Sequence, residues 1–269
     1  MNQVNQTMYI PLYGKAYVSS KGILLQDPKA EEIWAAEGFS LKGKSKSKWL
    51  AYYMAMRGKV FDQWVMEQLA AEPSSVVVHL GCGMDSRAER VELEKYPACQ
   101  WYDVDFPEVI SERRRYYKES HQYQMVASDV RDPQWLQKVP ADRHGIVVME
   151  GISMYLAPEE LTGLLKQIRE HFAQGHILMD CYTAFAAKAS KYKNPVNDVG
   201  VTQVYGLDDP KVLEVGTGLV YKREHEMTPE AMIRELSGME YTIFSKLYGG
   251  NMARKMYRMY EFVFFDELC

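Results

Sequence analysis

The stretch that decides the fold is SSVVVHLGCGMDSR, residues 74–87: three consecutive valines and a leucine run into a turn with two glycines and then an aspartate. A short, unbroken apolar run reads as a strand buried on both faces, the signature of a parallel sheet covered by helices. A Gly-x-Gly turn after such a strand usually cradles a nucleotide phosphate with backbone N–H groups. Asp85 places a carboxylate where a phosphate would be repelled, and Ser86 stands where a dinucleotide fingerprint carries its third glycine.

Downstream, short apolar runs alternate with helical periodicity, the pattern of β-α-β units. Strands are expected near Val76–Leu80, Gln100–Val104, Gln124–Ala127, Ile146–Glu150 and His176–Cys181, and helices near Ser86–Lys95, Pro107–Ser120 and Pro158–Phe172. These elements predict a doubly wound α/β sheet, whose ligands bind in the crevice beyond the carboxyl ends of the strands. Upstream, KAEEIWAAEGF (29–39) and KWLAYYMAMRGKVFDQWVMEQLA (48–70) repeat apolar residues at helical spacing, so residues 1–73 read as a helical cover on a core spanning 74–182. The basic loop between them, SLKGKSKSK (40–48), reads as a solvated connection or as a patch for an acidic surface. Residues 183–225, rich in Gly, Pro and Asp, are expected to form a lid over the acceptor. TPEAMIRELSG (228–238) should start a helix at Thr228, and YTIFSKLYGG with MYRMYEFVFFDEL should form two closing strands about the turn Gly249–Asn251. All 269 residues are read as one domain.

Composition narrows the function classes. With 32 basic and 36 acidic residues the chain has no electrostatic reason to seek a polyanion, so no nucleic-acid partner is expected. The amino terminus lacks the pattern of a secretory signal, and no stretch approaches the roughly 18 apolar residues of a membrane span. The expectation is a cytoplasmic protein without a membrane partner. Cys82, Cys99, Cys181 and Cys269 have no C-x-x-C spacing, and the six histidines no ligand spacing, so no metal site is expected. His79, inside the first strand, reads as a satisfied core residue. Arg113–Arg115 read as the exposed face of a helix.

Carboxylates stand at four successive strand ends: Asp85 after the first, Asp103 and Asp105 on the second, Asp129 after the third and Glu150 on the fourth. Such a rim suits S-adenosylmethionine, which has ribose and adenine but no phosphate and carries a sulfonium and an ammonium. Gly81 and Gly83 would let the backbone approach its methionine part. Asp105, 22 residues after Gly83, is near the spacing at which an acid accepts ribose hydroxyls. Asp129 with Val130 suits the adenine, and Glu150 the ammonium. Taken singly, Asp85 or Asp129 could be helix caps and Asp103 a solvated acid.

These stretches, with WYDVDFPEVISERR (101–114), ASDVRD (127–132) and VVMEGISMYL (147–156), resemble the leucine carboxyl methyltransferase family of class I S-adenosylmethionine-dependent methyltransferases, in particular its bacterial branch similar to the O-methyltransferase of tetracenomycin biosynthesis. The resemblance implies a Rossmann-like, mostly parallel sheet with an antiparallel closing strand, and a basic pair holding the cofactor's carboxylate. Arg57 in AMRGKVFDQW and Lys15 in PLYGKAYVSS occupy those positions. It implies methyl transfer to an oxygen of a small molecule or of a peptide carboxylate, leaving S-adenosylhomocysteine, with Tyr155 lining the acceptor side or packing in the core. No general base is marked. The competing readings are a nicotinamide oxidoreductase and a non-catalytic binding module on the same fold.

Overall fold

The computed structural model describes residues 5–37, 43–190 and 203–265. Seven strands form one sheet: β1 (Val76–Leu80), β2 (Gln100–Asp105), β3 (Tyr123–Ala127), β4 (Gly145–Met149), β5 (Gln174–Tyr182), β6 (Val220–His225) and β7 (Tyr257–Phe265), in the order β3-β2-β1-β4-β5-β7-β6. The first five run parallel; β7 runs antiparallel between β5 and β6. The helices are α1 (Tyr9–Ser19), α2 (Pro28–Glu37), α3 (Lys48–Ala71), α4 (Arg87–Arg90), α5 (Pro107–Arg113), α6 (Pro158–His171), α7 (Ala184–Ala189), α8 (Glu230–Ile233), α9 (Gly238–Tyr248) and α10 (Gly250–Met256).

Every residue of β1 is buried, as its valine run requires. Successive side chains feed two cores on opposite faces: Val77 packs with the α1–α3 side, while Val76, Val78 and Leu80 pack with Leu161, Leu165 and Ile168 of α6. The chain leaves β1 for β2 on one flank and has β4 on the other, so β1 lies at the switch point where a crevice opens.

Several local expectations give way. The helix expected over Ser86–Lys95 stops at Arg90, because Glu92 takes a left-handed conformation before a short turn at Leu93–Lys95. The helix expected to reach Ser120 ends at Arg113. The segment YTIFSKLYGG is helical: Phe244 and Tyr248, four residues apart, stack on one face, and Gly249 separates α9 from α10, whose first residue, Gly250, takes φ +51°. The strand that completes the sheet beside β7 is instead β6, inside the segment expected to be a lid; residues 191–202 of that segment lie outside the described residues. The helix expected at Thr228 begins after Pro229, and the Thr228 hydroxyl donates to the Tyr248 carbonyl. Glu261 of β7 is fully buried and seats β6 by accepting from Lys222 (3.0 Å), Arg223 (2.7 Å) and His225 (2.7 Å).

Asp103 and Arg113 also depart from expectation. Arg113 is buried, and Asp103 faces it under the sheet's edge instead of the crevice. Asp103 accepts from Trp101 Nε1 (2.7 Å), from Tyr123 Oη and from Arg113, whose Nη1 donates to the Gly83 carbonyl (3.0 Å). Two residues deeper in β2 than Asp105, Asp103 cannot reach the strand end; it props the glycine turn from below. Burial pushes its carboxyl up, but Arg113, His79 and Tyr123 outweigh that and hold it at about 2.

Arg113→Met should lower the unfolding free energy by about 3–5 kcal/mol, since it strands a buried carboxylate; urea titration at neutral pH measures this. In the parent, Asp103's share of stability should be complete above its ordinary 3.8 and lost as pH falls through about 2. Phe244→Ala, at a fully buried position, should cost about 3–5 kcal/mol. By the same titration Met239→Ala, at an exposed position, should stay within about 0.5 kcal/mol of the parent.

Candidate functional site

Beyond the carboxyl ends of the parallel strands lies a cavity of about 840 Å³. Its floor is the turn after β1. Gly81 and Gly83 take φ of +65° and +52°; a Cβ on Gly81 would overlap Ile152, and one on Gly83 would meet the Cβ of Met8 at 3.1 Å. Only glycine keeps this turn both left-handed and thin. Asp105, at the end of β2, closes the turn: Oδ2 accepts from the Gly83 N–H and Oδ1 from the Phe106 N–H, both at 2.8 Å. Burial raises its carboxyl to about 6, against the pull of these two N–H groups and Arg113.

Next to this turn a lattice of buried charge joins segments far apart in sequence. Lys15 of α1 pairs with Asp85 at 2.8 Å and lies 3.9 Å from Glu150. Arg57 of α3 donates Nε to Glu150 (3.1 Å) and Nη1 to Asp180 of β5 (3.0 Å). Arg87 bonds Asp62 of α3 (2.7 Å), Asp85 (3.2 Å) and Glu150. Arg90 bonds Asp27, Asp62 and Asp85 at 2.6–2.8 Å. Four cations thus face five carboxylates: Asp27, Asp62, Asp85, Glu150 and Asp180. Burial opposes ionisation of Glu150 and Asp85, yet the surrounding cations hold both below the ordinary carboxylate range. Asp180 is pushed up by burial against the pull of Arg57, and it accepts from the Gly151 N–H, which fixes the turn after β4. His79 is buried, 3.1 Å from Arg87, and its pKa is lowered, first by burial.

Gly81, Gly83, Asp85, Asp105, Asp129, Val130, Glu150, Lys15, Arg57 and Tyr155 all line this one cavity; Asp103 does not. Asp129 and Val130 form the wall beyond β3. There the Asp129 carboxylate accepts from the Arg131 backbone (3.0 Å) and side chain (2.9 Å), and Arg131 reaches Glu160 at 3.3 Å. Tyr155 sits on the opposite side with Tyr53, Tyr182 and Tyr257; the last two meet edge to face at 4.6 Å. Leu247 of α9 and Met252 and Met256 of α10 continue this wall outward.

Sequence reasoning missed Asp62, Arg87, Arg90, Asp27 and Asp180 as parts of the lattice. Asp180 had a signal, because ILMDCY ends the fifth strand with an acid as the earlier strands do. Asp62 had none: its partners lie 25 and 28 residues away on another element.

Residues 11–169 match the leucine carboxyl methyltransferase family. The chain is 29% identical over 212 residues to the tetracenomycin polyketide synthesis O-methyltransferase TcmP of Streptomyces glaucescens, covering 78% of each. It is 28% identical over 239 residues to an S-adenosyl-L-methionine-dependent methyltransferase of Gibberella zeae, covering 81% of this chain and 80% of that one. A crystal structure from Thermobifida fusca assigned to the methyltransferases superposes with a TM-score of 0.58 at 13% identity, covering 94% of each chain, a likeness of fold. With the family match spanning more than half its length, the chain belongs to the leucine carboxyl methyltransferase family and so to the S-adenosylmethionine-dependent methyltransferases.

Proposed function

We infer that the chain transfers a methyl group to an oxygen, of a small molecule or of a peptide carboxylate, and that the cavity takes the cofactor at its glycine end and the acceptor at its tyrosine end. One observation carries this reading: the Asp105-braced glycine turn and the tyrosine wall are two ends of a single cavity.

The donor set suits S-adenosylmethionine. A carboxylate has about four acceptor sites; Asp105 uses two on the Gly83 and Phe106 N–H groups, leaving capacity for ribose hydroxyls. Asp105 sets a carboxylate against the turn, which disfavours a diphosphate there and so a nicotinamide dinucleotide. The lattice's one surplus carboxylate complements a ligand of net positive charge. Lys15 and Arg57 would hold the cofactor's carboxylate, Glu150 its ammonium, and Asp129 with Val130 its adenine. The cofactor supplies a methyl made electrophilic by an adjacent sulfonium. The chain's own task is positional: the tyrosine wall, Tyr155 included, orients the acceptor oxygen at about 3–3.5 Å for in-line approach and keeps water out. A carboxylate acceptor arrives ionised and needs no base to take a proton.

S-adenosylhomocysteine should raise the melting temperature while NADH leaves it unmoved. By calorimetry, Asp105→Ala should weaken S-adenosylhomocysteine roughly 10- to 100-fold, the loss of hydrogen bonds to a charged acceptor; unchanged affinity removes the ribose role. Ribose hydroxyls donate to the ionised carboxylate, so affinity should be level above about pH 6 and fall below it as Asp105 protonates. Asp105→Asn should flatten that profile. With labelled cofactor and an extract of the source cells, label should be released as methanol by mild alkali from a carboxylate acceptor and retained by a hydroxyl acceptor. Label on nitrogen or carbon would overturn the oxygen assignment.

A further inference from the structure

The outer end of the cavity opens onto a face that methyl transfer does not explain. Met239, Ile243 and Leu247 recur every four residues along α9 and make one stripe on its outer side; Met239 is 81% and Leu247 57% exposed. Met252 and Met256 extend the stripe along α10, and Phe185, 63% exposed, stands on α7, which packs against α10. Large apolar side chains gathered on one face are unusual for a surface with nothing to bind. The stripe is continuous with the cavity: Leu247, Met252 and Met256 belong to both.

The charge on α7, α9 and α10 is mostly basic, although the chain as a whole is acidic: Glu230, Glu224 and Asp208 touch these helices from neighbouring elements, where Glu230 accepts from Tyr241 and Glu224 from Arg254. Lys188, Lys246 and Lys255 are exposed on the same three helices and have no carboxylate partner among the described residues. The single acid on those helices, Glu240, is taken by Lys48 (2.7 Å) and Tyr52 (2.8 Å). That contact brings the end of the basic run SLKGKSKSK against α9, with exposed Lys46 beside it and Ser47 lining the cavity. Apolar side chains ringed by lysines are what a peripheral protein presents to an anionic bilayer, the former entering the headgroup boundary and the latter meeting its negative potential.

We propose that α7, α9, α10 and the adjoining Lys46 and Lys48 seat the mouth of the cavity on an anionic lipid surface. Among the described residues no helix is long and apolar enough to cross a membrane, and the contact is peripheral. On the methyl-transfer reading, an apolar acceptor would then pass from the bilayer along the stripe to the tyrosine wall without crossing water.

The test is co-sedimentation of the full chain with vesicles of phosphatidylcholine alone and of phosphatidylcholine mixed with phosphatidylglycerol. Binding is expected to the mixed vesicles, to weaken as salt is raised, and to fall about fivefold for each of Lys246→Gln and Lys255→Gln. The double variant Met239→Asp with Ile243→Asp should lose it. All four positions lie outside the cavity, so S-adenosylhomocysteine affinity should be unchanged in every variant; this shows that they fold and separates failure of docking from failure of the cofactor reading. Absence of binding to mixed vesicles at low salt, or equal binding by the aspartate variant, would overturn the proposal. Concentration-dependent dimerisation that the aspartate variant abolishes, without vesicle binding, would instead make this face an interface between copies of the chain.

Discussion

The fully buried guanidinium of Arg87 holds the site together. Its nitrogens reach Asp62 on the long N-terminal helix, Asp85 in the glycine turn and Glu150 after the fourth strand, so one side chain ties the cover, the turn and the sheet. Such a network need not be worth more than an apolar core of the same shape, because taking each charge out of water is costly. Its value is geometric. Remove one member and the others are left charged and dry, so the three segments can occupy only the arrangement that satisfies all of them.

This changes the meaning of the acidic rim. From sequence, the carboxylates form a bare negative edge awaiting a cation. In the fold Asp85 and Glu150 are already compensated, and Asp103 is sequestered under the turn by Arg113. Asp105 stands apart: the backbone N–H groups of Gly83 and Phe106 donate to its two oxygens, and burial pushes its carboxyl up to about 6. The acids of β2 and of the turns after β1 and β4 therefore serve three purposes: propping a turn, balancing a lattice, and facing the cavity with acceptor capacity to spare.

The parallel core was legible because its signal is local: five apolar runs punctuated by turns, each within a few residues of the observed strand. The glycine turn was legible for the same reason. What could not be read depends on pairing between distant segments. Helical or extended structure in YTIFSKLYGG is decided by where Phe244 packs, and the sheet partner of β7 is a charged, half-exposed strand with no apolar alternation to betray it. Arg113 looked like part of a solvated run because its neighbours Arg114 and Arg115 are; only the fold shows that it alone points inward.

The outermost strand carries a further consequence. Among the described residues β6 has a strand neighbour on one side only; the Tyr221 N–H is taken by Glu214 (2.7 Å), and the rest of the outer side presents backbone groups that another extended chain could pair with. Its sequence is VYKREH, and its register slips between Tyr221 and Arg223. Charged side chains and an irregular ladder make such an edge a poor template for intermolecular β-pairing. The residues that make this strand hard to recognise therefore also guard the sheet against growing by one strand at the expense of a neighbouring molecule.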